Sequence, residues 1–192
     1  MIRNKIATHN SATGEKPGTF LSWLLIPFCR TQSKTIKEQY DAGCRMFDLR
    51  VRPHNGLWHM AHGPFITKKK FVEILKEINS FSEPCYIMVT YEGKIDTEDK
   101  KFLFIDTIKT YQYNCPNIMW GPVAVKYTNN DLIVDWETII PATCEWPDTR
   151  SAFLGLDGRK WQTYIPIPWL WKQFYFKHVE FNPLYFQLVD FL

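Results

Sequence analysis

Two histidines frame an arginine-bearing segment in the first third of the chain. His9 stands in Ala7-Thr8-His9-Asn10-Ser11, at the end of the first short apolar run. Asp48 and Arg50 stand in Gly43-Cys44-Arg45-Met46-Phe47-Asp48-Leu49-Arg50, and His62 opens His62-Gly63-Pro64 after another short run. Two imidazoles and a fixed cation are the parts needed to move a phosphoryl group by acid–base catalysis. One histidine takes a proton from the attacking hydroxyl, the other gives one to the leaving oxygen, and the arginine holds the charged phosphate between them.

Short strands must carry these groups. Ile6 to Thr8 is a strand ending at His9. Arg45 to Val51 alternates, which puts Met46, Asp48 and Arg50 on one face and Phe47, Leu49 and Val51 on the other. Asp48 and Arg50 therefore point the same way, into a polar barrel interior or mouth. Leu57 to Ala61 is a strand that delivers His62. Cys85 to Tyr91 is a fully apolar strand closed by Glu92.

Helices are expected between them. Thr35 to Ala42 has capping-box spacing (Thr35, Glu38) and the stop residue Gly43. Thr67 caps a helix over Lys68 to Ser80 with Phe71, Leu75 and Ile78 on one face, and Asp96 to Tyr113 carries Phe102, Ile105 and Ile108 in one stripe. Phe20 to Ile26 is apolar and is expected to pack over the site. Alternating strands and helices imply parallel strands with right-handed crossovers, with polar residues gathered at strand C-termini. Beyond residue 113 the pattern weakens. Strands are expected at Val123 to Lys126, Leu132 to Val134 and Phe186 to Asp190, while Trp161 to Phe176 shows no helical period.

The totals bound the answer. At 192 residues, one domain over 1–192 with a real core is expected. A complete eight-unit barrel usually needs about 250 residues, so a barrel here is shortened in its second half. The net charge of +3 is too small to argue for nucleic acid, though it suits an anionic membrane surface. Five cysteines without a Cys-x-x-Cys pair point to reduced thiols rather than zinc or disulfides. No segment approaches the roughly 18 to 20 apolar residues of a membrane span. No signal peptide precedes His9, so a cytoplasmic or peripheral-membrane location is expected unless a leader has been removed. The chain is expected to be a monomer.

These segments resemble the X domain of phosphatidylinositol-specific phospholipase C, in the bacterial-type, metal-independent branch. The resemblance runs through Thr8-His9-Asn10-Ser11, Thr31-Gln32-Ser33 with Ile36, Gln39 to Arg50, and His59 to Pro64, and returns at Gln187-Leu188-Val189-Asp190-Phe191. It implies an irregular TIM-type (β/α) barrel and cleavage of a phosphatidylinositol-type lipid to diacylglycerol and a cyclic inositol phosphate. Carried over, His9 is the general base and His62 the general acid. Arg50 binds the phosphate where calcium sits in the metal-dependent branch, Asp48 orients Arg50, and Asp190 supports His9. Asn10 and Glu92, with Lys94, are expected to line the substrate site; Lys126 and Asp157 are further head-group candidates.

Two departures matter. Asn10 stands where the bacterial branch commonly has an aspartate supporting the acid histidine. Asn10, Asp48 and Glu92 could also make three oxygen ligands for a divalent cation, but the Arg50 charge opposes one, so no cofactor is expected. Other readings stay open. A magnesium-dependent glycerophosphodiester phosphodiesterase or sphingomyelinase D type also uses two histidines on a barrel, but carries an acid-x-acid pair where this chain has Asp48-Leu49-Arg50. A non-catalytic inositol-lipid-binding module would keep the pocket and lose turnover. His59 is expected to be structural, His54 and His178 exposed. The Lys68 to Lys70 run could meet anionic lipid, and Trp169 to Phe176 could form an interfacial aromatic belt.

Overall fold

A computed structural model describes residues 6–93, 95, 97–128, 134–151 and 186–189. Asp190, Lys94, Asp157, His178, Trp169 to Phe176 and the side chain of Lys126 lie outside the described residues. The strands are β1 (Ile6–Thr8), β2 (Cys44–His54), β3 (Leu57–His62), β4 (Phe65–Lys70), β5 (Cys85–Tyr91), β6 (Ile118–Thr128), β7 (Val134–Ile140), β8 (Thr149–Ser151) and β9 (Phe186–Val189). The helices are α1 (Phe20–Leu24), α2 (Ile26–Cys29), α3 (Ile36–Asp41), α4 (Phe71–Asn79) and α5 (Glu98–Asn114).

The sheet order is β7-β6-β5-β2-β1-β9-β8. The neighbours β8, β9, β1, β2, β5 and β6 run parallel, and β7 closes the path antiparallel to β6. Among the described residues the expected closed barrel is not seen. Among the described residues β7 and β8 end the path without pairing each other, so the sheet is open.

Period-two alternation on β2 sorts the two sides of this sheet. Phe47, Leu49 and Val51 are fully buried in the main core with Phe71, Ile74, Leu75 and Ile78 of α4 and Phe104 and Ile108 of α5. Met46 turns the other way, into a small cluster with Ala7 and Phe186. Asp48 and Arg50 continue that second face toward the strand's C-terminal end. The apolar β5 run has core residues Ile87, Val89 and Tyr91 beside β2. A continuous hydrophobic run is what a parallel strand covered on both faces requires.

Parallel register sets the heights. Thr8 pairs with Phe47, so His9 emerges beside Asp48. Arg50 pairs with Thr90 and Val51 with Tyr91, so Glu92 emerges just past Arg50. His62 arrives by another route. β2 runs on to His54, turns through Asn55 and Gly56 at φ 50° and 74°, and returns antiparallel as β3 with Met60 opposite Val51. Asn-Gly is the favoured pair for such a two-residue turn. The return leg brings His62 back toward the level of Arg50. The step β2–β3–β4 is thus an antiparallel excursion inside the alternating strand–helix pattern.

Three local expectations change. Thr67 and the lysines after it do not open a helix: they finish β4, and α4 starts at Phe71, where the Glu73 side chain accepts from the Lys70 N–H at 2.7 Å. Lys69 is tied down by Glu77 at 2.7 Å and Glu15 at 3.4 Å. On α5 the buried stripe is Phe104 and Ile108, while Phe102 is exposed. Phe20 to Ile26 forms α1 and the start of α2, whose large side chains face outward rather than closing over the site. The capping box of α3 is as expected, with the Thr35 hydroxyl and Glu38 carboxylate bonding each other's backbone N–H.

Candidate active site

His9, Asn10, Asp48, Arg50, His62 and Glu92 converge from the C-terminal ends of β1 and β5, the middle of β2 and the turn between β3 and β4. Asn10 is the turning point of the chain. It adopts the left-handed conformation, φ 47° and ψ 47°, which asparagine tolerates better than most residues. That turn aims its backbone N–H at Asp48 Oδ2, 3.2 Å away. Its side-chain amide lies 3.3 Å from His9 Nδ1 and 3.4 Å from His62 Nε2. Asn10 therefore touches both imidazoles and the buried carboxylate at once.

Arg50 is held from three sides. Its Nη2 donates to His9 Nε2 at 2.7 Å. Its Nε donates to Asp48 Oδ2 at 3.4 Å, and its Nη1 lies 3.6 Å from Glu92 Oε2. The guanidinium can only donate, so His9 Nε2 must present its lone pair there. Nε2, the atom beside the arginine, is thus the basic one. Asp48 accepts from Asn10 and Arg50 and lies 3.7 Å from His9 Nε2.

His62 faces the group with Nε2, because its Nδ1 donates to the Cys29 carbonyl at the end of α2, 2.7 Å away. Burial pushes its pKa below the usual 6.5; the Cys29 bond opposes this, the Arg50 cation adds to it, Glu92 opposes it and His9 adds to it. A tight turn follows, in which Gly63 takes φ 55° and donates its N–H to Glu92 Oε1 at 3.1 Å. Glu92 is itself anchored by its backbone N–H to the Val51 carbonyl at 2.7 Å.

Supporting groups come from the segment before α3. The His9 carbonyl accepts from Thr31 Oγ1 at 3.3 Å and Gln32 Nε2 at 3.0 Å. Thr13 Oγ1 accepts from the Thr31 and Gln32 N–H groups and bonds the Asn10 carbonyl. These positioning roles, and that of Cys29, leave no catalytic signature in the sequence: Cys29 acts through its backbone oxygen and Thr13, Thr31 and Gln32 through common hydroxyl and amide side chains. His59 donates to the Thr67 carbonyl at 3.1 Å, a structural role. His54 is half-buried and edge-on to His59 rather than exposed.

Chemically, this is a guanidinium clamped between two carboxylates, with one imidazole nitrogen hydrogen-bonded to it and a second imidazole nitrogen across Asn10. Such a set can hold an anion at the arginine and move protons on two sides of it.

No family model and no curated protein sequence matches the chain. Among solved structures it is similar to a phosphatidylinositol-specific phospholipase C from Listeria monocytogenes, with TM-score 0.51 and 15% identity over 93% of this chain and 71% of that one. Two mutants of the phosphatidylinositol-specific phospholipase C from Staphylococcus aureus also match, with TM-scores of 0.44 and 0.43 and identities of 18% and 15%. They cover 60% and 68% of this chain and 38% and 59% of those chains. What the Listeria likeness shows is the fold: this mixed α/β sheet is built as it is in that phospholipase C.

Proposed function

We propose that the chain is a phosphodiesterase that cleaves inositol phospholipids by intramolecular displacement. The observation that carries this reading is the contact of Arg50 with His9 on one side while His62 Nε2 faces the same group from across Asn10. With the phosphate bound, the Arg50 guanidinium turns from His9 Nε2 to the phosphate oxygens, and the freed Nε2 takes the proton of the inositol 2-hydroxyl as that oxygen bonds to phosphorus. The bond from phosphorus to the glycerol oxygen breaks, and His62 Nε2 gives that oxygen its proton. Diacylglycerol leaves and a cyclic inositol phosphate remains. Arg50 neutralises the phosphate oxygens, Asp48 keeps the guanidinium in place, and Asp190 supports the His9 imidazolium.

A divalent cation on Asn10, Asp48 and Glu92 does not suit this geometry. The guanidinium lies 3.4 Å from Asp48 and 3.6 Å from Glu92, a fixed positive charge among the three oxygen donors. The chain's own residues therefore carry the whole reaction in this reading.

A lipid surface as the partner is supported by the ridge beside the site. Phe20 and Trp23 are 78% and 61% exposed, and Leu21, Leu24 and Phe28 are exposed with them. Few soluble proteins leave so many large apolar side chains together in water without a partner for them. The ridge ends at Cys29, whose carbonyl holds His62.

The test is phosphorus NMR of the products from phosphatidylinositol vesicles, with and without EDTA. Cyclic inositol phosphate in both samples is the expected result. Turnover lost in EDTA would favour the magnesium-dependent class, and lipid binding without turnover the binding module.

A further inference from the structure

Among the described residues, the side chain that meets the Nε2 of the acid histidine is an amide, that of Asn10, rather than a carboxylate. An imidazole that must hold a proton beside Arg50 needs negative charge from somewhere, and Glu92 is placed to give it. Its side chain is buried. Oε1 accepts from the N–H of Gly63, the residue after His62, and Oε2 faces Arg50 at 3.6 Å. Its backbone is pinned to β2 through Val51. One carboxylate thus joins the turn that carries the acid to the cation that grips the phosphate.

Resting on the base–acid reading above, we infer that Glu92 is a positioning residue for His62: it fixes the Gly63 turn behind the imidazole and supplies the negative charge that residue 10 does not. Gly63 makes this arrangement available. Its φ of 55° lets the chain reverse at once after His62 and presents the amide to the β5 end. The effect of Glu92 on His62 has the required sign, since its charge favours the protonated ring against burial and Arg50. Glu92 does not need to touch substrate to act.

The role has a signature that plain structural support lacks. An alkoxide leaves only with a proton, whereas a phenolate leaves without one. A residue that serves the acid matters for the first and not for the second. Glu92→Gln, which keeps the volume and an oxygen for Gly63, should lower kcat on phosphatidylinositol roughly tenfold, the size of one unit in the acid's proton affinity. Turnover of an aryl ester of inositol phosphate should fall by less, through the loss of one of the two carboxylates beside Arg50 alone, so the ratio of lipid to aryl-ester turnover should drop. Glu92→Ala, losing the Gly63 bond as well, should fall further on the lipid, and the Gly63 amide proton should move upfield in its NMR spectrum. Equal losses on both substrates, or none on either, would overturn the inference. Wild-type activity abolished by EDTA and restored by calcium would also overturn it, by making Glu92 a metal ligand. A wild type inactive on both esters would reject the underlying reaction instead; an unmoved Gly63 amide in Glu92→Ala would still count against the contact by itself.

Discussion

The side-chain amide of Asn10 stands 3.4 Å from His62 Nε2, the nitrogen that faces the reacting centre. The amide nitrogen at that contact can only donate, so it favours the neutral ring and cannot stabilise an imidazolium as a carboxylate does. Asn10→Asp should therefore hold His62 protonated to higher pH. The alkaline limb of the kcat profile should move up by about one unit or more, as expected for an opposite charge within hydrogen-bond reach. A limb that stays where it is would mean that Asn10 does not govern the acid.

The two imidazoles and the guanidinium have separable losses. His9→Ala and His62→Ala should each lower turnover of phosphatidylinositol by about 10²- to 10⁴-fold. Only His62→Ala should recover on an aryl ester, because only that step loses its need for an acid. Arg50→Lys should be poor on both, since a point charge cannot donate to His9 and face two carboxylates in one plane. Steady-state kinetics on the pair of substrates checks all three, and near-wild-type rates for either alanine variant would reject the assignment.

Much of this site is legible along β2. Alternation alone places Asp48 and Arg50 together and puts Phe47, Leu49 and Val51 in the core, because a strand has a single phase to fix. α5 was not legible in the same way. Phe102-Leu103-Phe104-Ile105 is apolar without a gap, so any of several stripes could face inward, and tertiary packing chose Phe104 and Ile108. The Lys68 to Lys70 run has no apolar periodicity to separate strand from helix, and pairing with β3 decided it. Among the described residues the sheet departs from the expected barrel at the same place where the sequence pattern weakens, beyond α5. Contacts such as Glu92 to Gly63 join residues far apart in sequence and have no local pattern at all.

Acid should weaken the fold through His62. Its folded pKa lies below the usual 6.5, so the unfolded chain takes up the proton first as pH falls. The stability that the neutral ring contributes is complete above about 6.5 and is lost as the pH drops through the lower folded value. Thermal melting of the wild type should decline across that window more steeply than that of His62→Gln, which has no ring to protonate. Parallel curves would show that burying the neutral ring contributes nothing.

The apolar ridge gives the last expectation. Phe20 and Trp23 pack against little of their own chain, so replacing them should leave the fold intact: Ser22, between them, carries the buried anchor by accepting from the Ile66 N–H at 2.8 Å. Phe20→Ala with Trp23→Ala should keep the melting temperature and the turnover of a water-soluble inositol phosphodiester. Binding to anionic vesicles should weaken by roughly one to two orders of magnitude, since each large side chain buried from water is worth about 1.5–3 kcal/mol and only part of it enters the interface. Vesicle sedimentation measures the first quantity and soluble-substrate kinetics the second. Undiminished vesicle binding would remove the ridge from the lipid contact, while a drop in melting temperature would show that the two rings serve the fold.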